Sequence, residues 1–335
     1  MLGTSGVGKT AFMLGMYARM RESINGFTFA ASDLDEDLML SQSWDNLVYK
    51  TGQERWPAPN DDTVQRYQFD FNYAFDKLMT FTWLDYRGNA LRSFSDAQDT
   101  YEIFNALADS TSIFVCVDGG LWADDTPNQT RGEQRDSIRR MNYILTQMYQ
   151  QTRRKVPIVL VVTKCDKFQN QPPKSDKYDT IFDEIRDELQ KKYFSPLFVK
   201  NSGWLTMVTF VTLGSDIHED PDNANIEPNE GVYQPVAFAI YSVFADMARA
   251  EEATIEESEA DAADREARAT KLRDEWFGLG SWFNQGKIND LVTTPDETID
   301  ATRLESIQTN LQEIATSLIS NSHIYFSGER ISADA

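Results

Sequence analysis

The chain has 335 residues, 41% hydrophobic and 25% charged, with a formal net charge of −21. Length and apolar content suffice for a sizeable core, as one large domain or one domain plus an appendage. The acidic balance disfavours nucleic-acid backbones and anionic membrane surfaces and favours solubility or a basic partner. No apolar run is long enough to span a bilayer, and two cysteines make no disulfide framework, so a reducing cytosol is expected.

Residues 3–10 read GTSGVGKT, which matches G-x-x-x-x-G-K-[ST]. Glycines at positions 3, 6 and 8 let successive main-chain N–H groups turn inward to form an anion-binding nest. The following helix adds its positive N-terminal end, with Lys9 and the amides up to Ala11 reaching phosphate and the Thr10 hydroxyl reaching Mg²⁺. Phe12, Met13, Met16 and Met20 recur at helical spacing and predict a helix over 9–23. Such a loop ordinarily follows a buried apolar strand, yet only Met1 and Leu2 precede Gly3. The expectation is that the natural start lies further upstream, the alternative being that another segment fills the gap.

The stretch 25–64 reads as a long irregular loop, acidic at Asp33–Asp37 and broken by Pro57 and Pro59. Alternating segments 66–75 and 78–85 then predict a hairpin. The second ends in Asp85-Tyr86-Arg87-Gly88. An acid at such a strand end can hold Mg²⁺ through water, and Gly88 can offer its N–H to a γ-phosphate. Further strands are expected at 112–118, 156–163 and 205–212, with helices near 96–109, 132–152 and 178–193. The apolar run before Thr163-Lys164-Cys165-Asp166 is the strongest strand signal, and this turn fits [NT]-K-x-D. The Asp166 carboxylate can accept from guanine N1–H and N2–H, with the Lys164 stem along the base. Adenine leaves that carboxylate unpaired.

The apolar segment 232–248 reads as a buried helix running on into 249–275, acidic first and basic later. Trp276, Phe277, Trp282 and Phe283 follow, and Leu304, Ile307, Leu311, Ile314 and Leu318 form the seam of an amphipathic helix. These patterns divide the chain into a domain over 1–248 and a helical extension over 249–335. Two isolated histidines support neither a zinc site nor a Ser-His-Asp arrangement.

GTSGVGKT, DYRG and TKCD, in that order, resemble a Ras-like P-loop GTPase of the translation-factor-related class, over about residues 1–248. The wider layout is similar to bacterial double-GTPase proteins of predicted conflict systems. The resemblance implies an α/β fold with a mostly parallel sheet lacking its first strand, and a C-terminal helical extension. It implies a cytoplasmic, Mg²⁺-dependent switch that binds GTP and GDP and hydrolyses GTP. Thr63, or else Thr51, would close over Mg²⁺ and the γ-phosphate, while Leu213 and Gly214 would meet the guanine O6. Asn89 stands where such enzymes often carry the water-orienting glutamine, and Arg87 or Arg55 is a candidate internal arginine finger. A protein effector or regulator and a nucleotide-dependent dimer are the implied partners. A GTP-binding scaffold with negligible turnover is the alternative, kept open by Asn89.

Overall fold

A computed structural model of the chain describes residues 1–58, 64–86, 97–243 and 301–331. Helix α1 (Lys9–Arg21) leaves the glycine-rich loop. It is followed by β1 (Phe27–Ala31), α2 (Leu34–Tyr49), β2 (Gln65–Tyr73) and β3 (Asp76–Asp85). Then come α3 (Ala97–Asp109), β4 (Ile113–Asp118), α4 (Asn128–Thr152), β5 (Ile158–Thr163), α5 (Ile181–Glu188) and β6 (Leu205–Phe210). Residues 234–243 are helical (α6), and α7 (Ala301–Asn321), β7 (His323–Phe326) and β8 (Glu329–Arg330) close the described chain.

The strands form two sheets. In the five-stranded sheet β4, β5 and β6 pair in parallel, and β7 joins β6 antiparallel, followed by β8. In the other, β1, β2 and β3 pair antiparallel. The expected mostly parallel sheet thus holds only for β4–β6, and the five-stranded sheet is mixed. Met1 and Leu2 lie between the sheets. Met1 N donates to Leu84 O (2.5 Å), Leu2 N to Phe114 O (2.7 Å), and Cys116 N to Leu2 O (2.8 Å).

β4 and β5 are near-continuous apolar runs because both their faces are covered. Phe114, Cys116, Val159 and Val161 point into a core shared with α1, the β1–β3 sheet, α6 and α7. Ile113, Val115, Val117, Ile158, Leu160 and Val162 point the other way, towards α3, α4 and α5. The first core is rich in rings, with Phe27 against Phe71 at 5.1 Å and Trp83 against Phe114 at 4.9 Å between centroids. Such pairs add about 0.5–1.5 kcal/mol each beyond area burial.

The stretch 25–64 is not an irregular loop where it is described, since it holds β1 and α2. The acidic run that reads as loop is a helix start. Asp33 accepts from the N–H groups of Asp35 (2.9 Å) and Glu36 (3.1 Å), and Asp35, Glu36 and Asp37 sit in the first turn. A carboxylate N-cap satisfies donors that lack helical partners, and acids in the first turn suit the macrodipole. The predicted hairpin is present and antiparallel, one residue earlier than expected at its first strand.

The amphipathic seam near the C-terminus is α7, with Ile307, Leu311 and Leu318 buried in the first core. Asn310 donates to the Tyr73 hydroxyl at 2.9 Å, fixing α7 against the end of β2. The chain then returns as β7, which the sequence reading missed, and pairs Leu205–Val208 with residues 323–326. The charged stretch 249–275 and the aromatic stretch 276–294 lie outside the described residues.

Candidate functional site

The glycine-rich loop turns through three positive or extended glycines, Gly3 (φ 156°), Gly6 (77°) and Gly8 (95°). Gly8 is the left-handed N-cap of α1 and supplies no side chain to the first-turn amides. No acid occupies that turn, so its N–H groups face an anion unopposed. A β-carbon at Gly3 would lie 2.9 Å from Val7 Cγ1 and 3.1 Å from Cys116 Cβ, which explains the need for glycine there. Lys9 is buried, and its ammonium folds back on the loop to donate to Gly3 O (2.8 Å) and Thr4 O (3.1 Å).

The strand β3 delivers Asp85 to the base of the loop. Thr10 Oγ1 donates to Asp85 Oδ2 at 3.2 Å, and Asp85 is wholly buried. Among the described residues its Oδ1 has no hydrogen-bond partner. Burial pushes this carboxyl above the usual range, against the pull of the Lys9 ammonium, the amino terminus and the Thr10 bond. A desolvated carboxylate with an orphaned oxygen beside a hydroxyl fits a hard divalent cation, which takes oxygen ligands. Among the described residues no group of three or more His, Cys, Asp or Glu gathers as a metal site. A cation held by Thr10 and Asp85 would take its further ligands from phosphate, water or another oxygen donor.

The T-K-C-D turn follows β5 and reaches the same loop. Thr163 Oγ1 donates to Val7 O at 2.6 Å, so a buried hydroxyl ties this turn to the glycine-rich segment. Lys164 has φ 55°, and its ammonium pairs with Asp118 at 2.8 Å. Asp118 in turn accepts from Gly120 N at 2.8 Å. A β-carbon at Gly119 would lie 2.4 Å from Thr163 O, so only glycine lets the two strand ends approach this closely. Asp166 is partly buried, and burial raises its carboxyl while its own N–H, Lys167, His218 and Lys164 oppose the shift.

One cavity of about 410 Å³ joins these parts. Its lining includes Gly6, Gly8, Lys9, Thr10 and Ala11 from the loop and α1 together with Thr163, Lys164, Asp166 and Leu213. Gly3 and Gly214 are outside its lining. The Gly214 N–H donates to Thr212 Oγ1 at 3.2 Å. Thr63, Arg87, Gly88 and Asn89 lie outside the described residues.

Arg55 is not placed as an arginine finger. It is 2% exposed, and its guanidinium donates to Leu47 O (2.9 and 2.7 Å) and Ala224 O (2.9 Å). All three interactions are internal, so the group is spent on main-chain carbonyls rather than held for a ligand. Sequence reasoning also missed Asp118 and the outer wall of the cavity, where Trp56 and Pro57 face Ile217, His218 and Pro221. The Asp-Gly-Gly at the end of β4 is a signal that could have found Asp118, whereas nothing local marks the outer wall.

A family model described as Double-GTPase 2 matches residues 1–202. The chain belongs to this family of P-loop GTPases. No protein of curated function and no solved structure matches it. The family match takes in the glycine-rich loop, Asp85, Asp118 and the T-K-C-D turn, and ends before β6. Leu213 and the wall from Ile217 to Pro221 therefore lie beyond the matched stretch.

Proposed function

We propose that this chain is a Mg²⁺-dependent, cytosolic molecular switch that binds GTP and hydrolyses it to GDP and phosphate. The observation carrying this reading is the one cavity whose lining holds Gly8, Lys9 and Thr10 together with Lys164 and Asp166. A triphosphate in the loop then has its base at the carboxylate that selects guanine. The main-chain amides at the start of α1 and the Lys9 ammonium hold the phosphates and take up charge as the γ-phosphoryl group leaves. For this, Lys9 exchanges its bonds to Gly3 O and Thr4 O for phosphate oxygens. Thr10 and Asp85, joined by Thr63, would hold Mg²⁺, which neutralises the phosphates when bound. Gly88 offers its N–H to the γ-phosphate, and Asn89 orients the attacking water. Arg87 remains the internal candidate for an arginine finger.

The two cysteines, both free and buried, suit a reducing compartment. Among the described residues no helix is long and apolar enough to cross a membrane. Asn89 also supports the second reading, a GTP-bound scaffold of negligible turnover that recruits a protein partner. Its amide is one methylene shorter than the glutamine of faster enzymes.

The test is binding and single-turnover hydrolysis with GTP and ATP, each with Mg²⁺ and with a chelator. GTP binding over ATP, with Mg²⁺-dependent phosphate release, is expected. Tight GTP binding without phosphate release selects the scaffold reading, and equal use of both nucleotides overturns guanine selection.

A further inference from the structure

The residues between α2 and the end of the described switch segment are joined to the loop after β6 by main-chain and side-chain bonds. Gly52 N donates to Asp222 O at 3.0 Å, and Gln53 Nε2 to Asp222 Oδ1 at 3.2 Å. Trp56 Nε1 donates to Pro221 O at 3.1 Å. Beneath these, Arg55 spans from Leu47 O, at the end of α2, to Ala224 O. Among the described residues no carboxylate lies within ion-pair distance of Arg55. Its fork of donors is therefore directed by the two carbonyl positions, and a lysine there would replace the fixed planar fork with a single ammonium. The two joined segments also line the cavity. Trp56 and Pro57 line it from one side of the Trp56–Pro221 bond, and Ile217, His218 and Pro221 from the other, as do Asp166 and Leu213. His218 is tied outward as well, with its Nε2 2.9 Å from Asp125 Oδ2.

We propose that residues 52–56 and 221–224 form a latch across the base end of the pocket, with Arg55 as its positioning residue. The latch holds Trp56 against the nucleoside and governs how fast the nucleotide leaves. A bound nucleotide cannot swing its base out without parting Trp56 from Pro221. A ligand made of phosphates alone never meets this wall. The latch also joins the segment leading to Thr63 directly to the base-contacting loop, so the base steadies the same chain that closes over the phosphates. This inference rests on the proposed guanine-nucleotide site.

The experiment measures release of ribose-labelled fluorescent GDP by stopped flow, and affinity for inorganic tripolyphosphate by calorimetry, in the full chain. The proteins are the natural chain, Arg55→Met, Arg55→Lys and Trp56→Phe. Losing one or two such bonds on the base side should speed GDP release by about tenfold, the equivalent of about 1.4 kcal/mol. Tripolyphosphate affinity should stay within about twofold, a change worth less than half a kcal/mol. Arg55→Lys should behave like Arg55→Met. Should the buried Arg55 variants fail to fold, Trp56→Phe, at a partly exposed position, gives a second reading because it keeps an aromatic face while losing the indole N–H and its pyrrole ring. Unchanged GDP release overturns the latch while leaving the GTP site standing. Equal loss of GDP and tripolyphosphate binding overturns it too, because a general defect of the loop explains that result. A natural chain that binds no GDP removes the function and the latch with it.

Discussion

In the proposed site Lys9 and Asp166 serve opposite ends of one ligand, and replacing each should give a different defect. The Lys9 ammonium is buried beside the glycine-rich loop, bonded for the moment to Gly3 O and Thr4 O. A charged donor to phosphate contributes about 1.5–3 kcal/mol, so Lys9→Ala should weaken GTP and tripolyphosphate alike by about ten- to a hundredfold. Equilibrium titration of both ligands checks this, and unchanged GTP affinity would refute the assignment of the loop. Asp166→Asn should leave tripolyphosphate unaffected, weaken GTP and move preference towards xanthosine triphosphate. An asparagine amide offers guanine N1–H and N2–H one acceptor and one mismatched donor, whereas xanthine carries an acceptor where guanine carries its amino group. Competition of the two nucleotides against labelled GDP measures the shift, and an unaltered order of preference would place the base elsewhere.

Among the secondary-structure elements, β5 and α1 were readable from sequence because local pattern and burial agree there. β5 is apolar at every position and is covered on both faces, and α1 follows directly from a glycine that caps it. The three motifs were readable for the same reason, since each stands at the end of a strand or the start of a helix. β1 and α2 are hidden from a sequence reading because the Asp33–Asp37 run shows its charge locally, whereas its capping geometry exists only once α2 forms. β7 was missed because its four residues make a strand only through pairing with β6. The base-end wall escaped because Arg55 and Ala224 are brought together by tertiary structure alone.

β7 also carries a titration with a definite sign. His323 is partly buried and its Nδ1 lies 2.9 Å from Arg186 Nη1, so this ring nitrogen is the acceptor. Burial, followed by Arg186 and Arg330, lowers the imidazole from 6.5 to about 4. The unfolded chain takes up this proton before the folded one does. The contribution is therefore complete above pH 6.5 and is lost as pH falls from 6.5 towards about 4. His323→Asn keeps an acceptor without titrating. Its melting temperature should fall less than that of the natural chain across this window, read by thermal unfolding in matched buffers. Parallel curves for the two proteins would show that His323 is not held neutral.

Taken together, the molecule is strongly acidic around a site that has to attract an anion. The net charge is −21, while Lys9 and the amides at the start of α1 bring positive charge to the pocket. These influences act over different distances. A surface charge is felt to about 30 Å at 0.01 M salt but only about 8 Å at 0.15 M, whereas contacts inside the pocket are screened far less. A nucleotide approaching at low salt therefore meets the repulsion of the whole surface before the attraction of the loop. Raising ionic strength removes the first and spares most of the second. The association rate of labelled GDP, measured by stopped flow without Mg²⁺, should accordingly rise between about 0.01 and 0.15 M salt. Most basic nucleotide-binding surfaces behave in the opposite way, since salt weakens their steering. A rate that falls over the same range would mean that the positive field of the loop extends beyond the acidic surface and already governs approach.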